Sequence, residues 1–254
     1  MMFQSIELLS AMRLPGMKRE LLRQMETPAM DALSFEERIE MMVAAEWTSR
    51  VDRKLARLLK EAKLKDPSAC LENVDFRPQH NIRKEDIARL STLNWVRQGR
   101  NLLITGKTGT GKTYLACAFG NAVCREGKKV RSYKTHRLLT ELAIGAADGT
   151  YTRILEELKK PDLLILEDFG MTPISADACR NLLEVIDDRH GFKSILVTAQ
   201  LPVAEWHGIL EDKTAADAIM DRLISSALRL EPKGPSMRTK QSEKGISDLQ
   251  DEVL

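Results

Sequence analysis

Residues Gly106-Lys107-Thr108-Gly109-Thr110-Gly111-Lys112-Thr113 fill every fixed position of the phosphate-binding loop pattern G-x-x-x-x-G-K-[ST]. The residue types state the chemistry. Glycines at 106, 109 and 111 let backbone N–H groups close around phosphate oxygens. Lys112 supplies a positive charge that can reach the β- and γ-phosphates, and the Thr113 hydroxyl can ligate Mg²⁺. The elements that must hold this loop flank it. Asn101 to Thr105 is a short apolar run that reads as a buried strand, and Tyr114-Leu-Ala-Cys-Ala-Phe119 opens a helix. Strand, glycine loop and helix together aim a positive helix N-terminus at an anion, with Tyr114 next to the loop.

A phosphate loop needs an acidic partner from a neighbouring strand. Leu163-Leu-Ile-Leu-Glu167-Asp168 supplies two carboxylates after four apolar residues. That is the carboxyl end of a strand, where parallel sheets bind ligands. One acid can serve the metal while the other polarises an attacking water. After a second apolar run, Ser194 to Thr198, the uncharged groups of Thr198 and Gln200 can contact a γ-phosphate or position the water. Arg222 ends a further helical stretch, where an arginine can stabilise charge that develops during phosphoryl transfer.

The chain has 254 residues, with 43% hydrophobic and 30% charged residues, which is a globular composition. No stretch approaches the length of a bilayer span, and no charged region precedes an apolar block at the N-terminus. A cytoplasmic location with no membrane partner is therefore expected. The cysteines at 70, 117, 124 and 179 form no C-x-x-C pair and read as reduced thiols. The net charge of +2 implies no partner by itself.

Residues 1–66 read as an all-helical N-terminal domain that binds DNA or a partner. Ser34-Phe-Glu-Glu37 matches a capping box. The helix it starts carries an apolar stripe through Ile39, Val43, Trp47, Val51, Leu55, Leu58 and Leu59, with Arg50, Arg53, Lys54, Arg57, Lys60 and Lys63 placed on the opposite face. Residues 67–100 form a linker and an entry helix, expected from Lys84 to Trp95. From 101 to 235 strands alternate with helices, which implies an α/β fold with a parallel sheet covered on both faces. The strands are Asn101–Thr105, Val130–Tyr133, Leu163–Leu166, Ser194–Thr198 and Ala227–Leu230. Residues 236–254 are polar and aperiodic, and a disordered tail is expected there.

Several segments taken together resemble the IstB family, the ATP-binding helper proteins of insertion-sequence transposition. They are Gly106–Thr113, Leu163–Gly170, Val197-Thr-Ala-Gln-Leu-Pro-Val-Ala-Glu-Trp-His207, Asp221-Arg-Leu223 and Gly234-Pro-Ser-Met-Arg238. Leu14-Pro-Gly-Met17, Leu33–Arg38 and Glu46-Trp47 extend the resemblance to the N-terminal region, so it covers nearly the whole chain. These helpers are AAA+ ATPases related to helicase loaders of the DnaC type. The resemblance implies an AAA+ core with ATP and Mg²⁺ as cofactors and self-assembly on double-stranded DNA through ATP-bridged interfaces. It also implies recruitment of a cognate transposase. By carry-over, Lys112 and Thr113 contact phosphate and metal, and Glu167 and Asp168 are the acidic pair. Gln200 or Thr198 is the sensor, Arg222 is a finger presented to a neighbour's ATP, and Arg238 is a second γ-phosphate contact. The order Glu167 then Asp168 departs from the usual aspartate on the metal side and implies slow hydrolysis.

Arg50 to Lys65 holds seven Lys or Arg against two acids, and residues 77–112 hold eight against two. Such clusters neutralise phosphates. Arg50, Arg53, Lys54, Arg57 and Lys60 are candidate DNA contacts. So are Lys134, Arg137 and Arg153 around the helical insertion at 136–159. No base-reading motif is present, so salt-sensitive and largely sequence-neutral binding is expected. A replicative helicase loader shares every ATP-site residue and remains the alternative. A P-loop enzyme acting on a small molecule is the weaker one.

Overall fold

A computed structural model describes residues 2–235. The expected tail at 236–254 and Arg238 lie outside the described residues. The chain divides into two compact units, Met1–Arg57 and Leu58–Leu254.

The first unit holds α1 (Met2–Ala11), α2 (Pro15–Glu26) and most of α3 (Phe35–Ala62). Pro15 opens α2, where its missing N–H is no loss. The capping box forms, with Ser34 N donating to Glu37 Oε2 at 2.8 Å and Glu37 N donating to Ser34 Oγ at 3.2 Å. Glu46 is the central tie of this unit. Its carboxylate accepts from Gly16 N at 2.8 Å and Met17 N at 3.4 Å, at the positive end of α2, and from Arg50 Nε at 2.9 Å. Burial pushes this carboxyl up, but Arg50 and the two backbone N–H groups outweigh that and hold it below its ordinary range. Gly16 is required by this packing, because a Cβ there would lie 2.4 Å from Ala45 O.

Helix α3 corrects the expected stripe. Ile39, Val43, Trp47 and Val51 are exposed, as are Arg50, Arg53, Lys54 and Arg57. The apolar and basic groups do not occupy a packed and a solvated side. In this unit the packed side carries Ala45 and Glu46 instead. Of the stripe only Leu58 is buried, with Leu55 and Leu59 half-buried.

The second unit enters through α4 (Lys84–Ser91) and α5 (Asn94–Arg97). The single helix expected over 84–95 is broken at Leu93, whose φ of 55° no helix accommodates. There follow β1 (Leu102–Thr105), α6 (Lys112–Arg125), β2 (Val130–Lys134), α7 (Thr135–Asp148) and α8 (Tyr151–Lys159). Next come β3 (Leu163–Phe169), α9 (Ala176–Asp187), β4 (Ser194–Ala199), α10 (Trp206–Ile209), α11 (Lys213–Ile224) and β5 (Leu228–Leu230). The five strands are all parallel, in the order β2-β3-β4-β1-β5.

Alternate residues serve opposite faces of the sheet. Leu103, Leu164, Leu166, Ile195 and Val197 pack with the apolar sides of α7, α9 and α11. On the other face α6 lies against the sheet, so close that a Cβ on Gly120 would meet Ile165 and Leu64 at 3.0 Å or less. Side chains cap the helices as their sequences allow. Ser175 Oγ accepts from Ala178 N before α9, and Asp212 accepts from Ala215 N before α11. Helix α10 was not legible in the sequence. Trp206, fully buried there, rests on Phe169 at a ring-centre distance of 4.6 Å.

Candidate nucleotide-binding site

The strand order places β4 between β1 and β3. The phosphate loop after β1 and the carboxylates of β3 therefore flank β4, and all three reach the same carboxyl edge of the sheet. In the loop, Gly109 and Gly111 adopt φ of 85° and 87°, a region open to glycine and closed to most side chains. Lys112 opens α6 and its ammonium donates to Gly106 O at 2.6 Å and Lys107 O at 2.8 Å, so the charge lies over the loop. Lys107 and Thr108 are exposed, while Thr110 is buried and its hydroxyl donates to Lys107 O at 2.9 Å.

Glu167 is buried within β3 and accepts a hydrogen bond from Ser132 Oγ at 3.1 Å, with the Thr113 hydroxyl near its carboxylate. The candidate metal hydroxyl and the first carboxylate are thus neighbours. Burial pushes the Glu167 carboxyl up, the Ser132 and Thr113 hydroxyls oppose this, and neighbouring Asp168 adds to the rise. One hydroxyl beside carboxylates is a hard, oxygen-only donor set, which suits Mg²⁺. Glu167 and Thr113 would hold the ion, which would neutralise phosphate charge.

Asp168 differs in kind. It lies in a register shift between β3 and β4, with φ of 59°. Its backbone N–H donates to Thr198 Oγ1 at 3.2 Å, and its carboxylate lies 3.4 Å from Lys134 Nζ. The bend separates the two neighbouring acids. Glu167 is buried and bonded to Ser132, while Asp168 is half-buried beside Lys134.

The two sensor candidates also separate. Thr198 is buried, and its hydroxyl accepts from the Asp168 backbone. Gln200 is exposed and accepts from Thr108 Oγ1 at 2.9 Å, so it touches the phosphate loop itself. Tyr114, expected at the nucleotide, commits its hydroxyl to the linker by donating to Cys70 O at 3.0 Å. Arg222 lies at the other edge of the sheet. Asn101, at the entry to β1, donates to Arg222 O at 3.1 Å, and the Arg222 guanidinium pairs with Asp187 at the end of α9. It is held away from its own phosphate loop.

Two other groups reach the site: Ser132, which the sequence does not single out, and Lys134, which it offers only as a DNA contact. Both enter through the pairing of β2 with β3, which sequence distance hides. The chain after β5 crosses the loop, so that a Cβ on Gly106 would lie 2.4 Å from Pro232 O. That segment is tied to the linker by Lys233 N donating to His80 O at 2.9 Å and by Asn81 Nδ2 donating to Glu231 O at 3.1 Å. His80 is buried and its Nδ1 has no partner.

The DNA candidates fall in separate places. Arg50, Arg53, Lys54 and Arg57 line an open concavity of about 520 Å³ together with Arg13. Lys60 is exposed further along α3. Arg137 on α7 and Arg153 on α8 are exposed, whereas Lys134 is engaged with Asp168. Among the described residues no helix is long and apolar enough to cross a membrane.

The model of one protein family, described as IstB-like ATP binding protein, matches residues 7–245. A Pseudomonas fluorescens protein named as an ATP-binding protein of insertion sequence IS1162 is 46% identical over 194 residues, which is 76% of this chain and 84% of that protein. A Sinorhizobium fredii insertion-sequence ATP-binding protein, y4pL, is 37% identical over 94% of this chain and 98% of its own length. Among solved structures the DnaC helicase loader superposes with a TM-score of 0.52 and 20% identity, over 65% of this chain and 97% of that one. The parallel sheet with its helices is an AAA+ fold, with helices preceding it.

Proposed function

This chain belongs to the family of IstB-like ATP binding proteins, and from that premise we propose that it is the ATP-dependent helper of an insertion-sequence transposition system. It binds MgATP at Gly106–Thr113, with Glu167 and Thr113 on the metal and Asp168 near the attacking water. The hydrogen bond from Thr108 to Gln200, with buried Glu167 beside Thr113 on the neighbouring strand, carries this reading, because it gathers the phosphate loop, the metal acid and a sensor at one sheet edge. Hydrolysis is slow. The longer glutamate stands on the metal side and the shorter aspartate on the water side, which suits a timed switch more than a motor. Arg222 completes the site of an adjacent subunit in an ATP-bridged assembly, and Arg238 is a further γ-phosphate contact.

The assembly forms on duplex DNA with little sequence preference, through the basic concavity of the N-terminal unit and through Lys60, Arg137 and Arg153, and it recruits the cognate transposase in the cytoplasm. Lys134 joins the DNA set only by leaving Asp168, which would link DNA to the water-side acid. In domain terms, residues 1–66 serve DNA or partner, 67–100 connect, and 101–235 hold ATP.

The experiment is ATP-dependent assembly on duplex and on single-stranded DNA, followed by capture of the transposase. Preference for duplex with transposase capture is the expected result. Preference for single strands with capture of a replicative helicase would replace it with a loader function. Lys112→Ala is expected to abolish assembly, and unchanged oligomers on DNA would refute the site. Arg222→Ala is expected to spare ATP binding and lower hydrolysis by roughly 10³-fold in the assembled state. Full hydrolysis in that variant would place the finger elsewhere.

A further inference from the structure

Hydroxyls from both neighbouring strands hold the acidic pair. On one side Ser132, in the middle of β2, donates from Oγ to Glu167 Oε1 at 3.1 Å, and Thr135, at the start of α7, donates from Oγ1 to Glu167 O at 2.9 Å. On the other side Thr198 of β4 accepts from Asp168 N at 3.2 Å. All three hydroxyl residues and Glu167 are buried. Thr135 and Thr198 fix backbone, whereas Ser132 fixes a side chain. Its direction is unambiguous, because an ionised carboxylate only accepts. Ser132 pairs with Ile165, which faces α6, and Glu167 two residues on points to that same side, where Thr113 stands in the first turn of the helix.

The side-chain bond matters because position 167 carries the longer acid. Glutamate has one more torsion than aspartate, and each torsion must be fixed before its oxygens point one way. The backbone gives a reason for the order of the two acids. Asp168 has φ of 59°, a left-handed conformation in which aspartate is enriched among non-glycine residues. The shorter acid therefore takes 168, and the longer one at 167 needs a restraint.

We propose that Ser132 is a positioning residue for the metal ion, holding Oε1 of Glu167 so that its second oxygen faces the ion in one orientation. This rests on the reading that Glu167 and Thr113 hold Mg²⁺. Removing a group that orients a metal ligand typically weakens the metal 10–100-fold, with the ligand itself untouched.

The test is binding of a fluorescent, non-hydrolysable ATP analogue to the full-length chain, titrated with Mg²⁺, so that no turnover enters the readout. Ser132→Ala is expected to raise the Mg²⁺ concentration at half-saturation by roughly 10-fold or more, and to leave analogue binding without Mg²⁺ unchanged. Ser132→Thr, which keeps the hydroxyl, is expected to restore the wild-type value. In a Glu167→Asp chain, whose shorter side chain falls away from Ser132, the alanine change is expected to add nothing. If Ser132→Ala does not fold, Ser132→Cys, a weaker donor, is expected to raise the half-saturation by a smaller factor. Glu167→Ala separates the two levels of the reading. If it leaves the Mg²⁺ requirement unchanged, Glu167 is not the metal acid and both readings fall. If it raises the requirement while Ser132→Ala and Ser132→Cys do not, only the role of Ser132 falls. An equal effect of Ser132→Ala in the Glu167→Asp chain, or a matching loss of metal-free binding, also overturns the proposal and leaves Ser132 a packing residue.

Discussion

One helix shows two opposite fates for the same kind of residue. Near its end Leu58 and Ala62 are 2% and 0% exposed, sealed in the core unit, while Val43 and Trp47 in the N-terminal unit are 54% and 70% exposed. Both stretches have helical spacing and capable apolar side chains. The core unit presents a five-stranded sheet to bury residues against, and the N-terminal unit presents only two short helices and a 3-10 turn. An apolar stripe records that a surface will be covered. Whether the chain covers it alone depends on how much partner surface the same unit offers.

The strongest test of this contrast is stability. Phe119, fully buried on α6 against Trp95, is expected to lose about 3–5 kcal/mol on replacement by alanine. Trp47→Ala is expected to shift the stability of the monomer by only about 0.5 kcal/mol, as an exposed position should. Denaturant titration at low protein concentration measures both. A large loss at Trp47 there would mean that its side chain is packed within its own unit.

Catalysis separates the units next. Glu167→Gln is expected to lower hydrolysis by roughly 10²–10³-fold. The same change has a pH signature. Burial holds the Glu167 carboxyl above its ordinary value of 4.5, so the folded core keeps that proton to higher pH than the unfolded chain does. Its contribution therefore turns unfavourable as pH rises above 4.5. Glu167→Gln is expected to raise the Tm at pH 8 and to change it little at pH 4. Equal shifts at both values would contradict the assignment.

The smallest expected effect has the opposite sign and lies in the N-terminal unit. The Glu46 carboxyl is held below its ordinary 4.5, so its stabilising bonds to Gly16, Met17 and Arg50 are present above 4.5 and lost as pH falls through the lowered value. Hydrogen exchange at the Gly16 and Met17 amides is expected to speed up in acid relative to amides of β1. Uniform protection across the titration would show that Glu46 does not tie that unit.

Much of the nucleotide site was legible because its determinants are local. Gly106 to Thr113 must be contiguous for amides to surround a phosphate, and Glu167 follows its strand directly. The capping box at Ser34 and Glu37 is equally local. What escaped the sequence depends on distant segments. Ser132 meets Glu167 only through the pairing of β2 with β3. The break at Leu93 and the bend at Asp168 are backbone choices that no side-chain pattern announces.

By itself the sequence determined the phosphate loop, the acidic pair, the alternation of strand and helix, and the helical N-terminal region, because each is set by neighbours within a few residues. Tertiary structure alone decided that Glu167 is buried against Ser132 while Asp168 turns to Lys134, that Gln200 touches the loop, and that Arg222 stands at the far edge of the sheet. It also decided which apolar stripe is packed and which is open. The physical reason is that strand order and the area available for burial belong to the assembled sheet, and no local window of residues contains them.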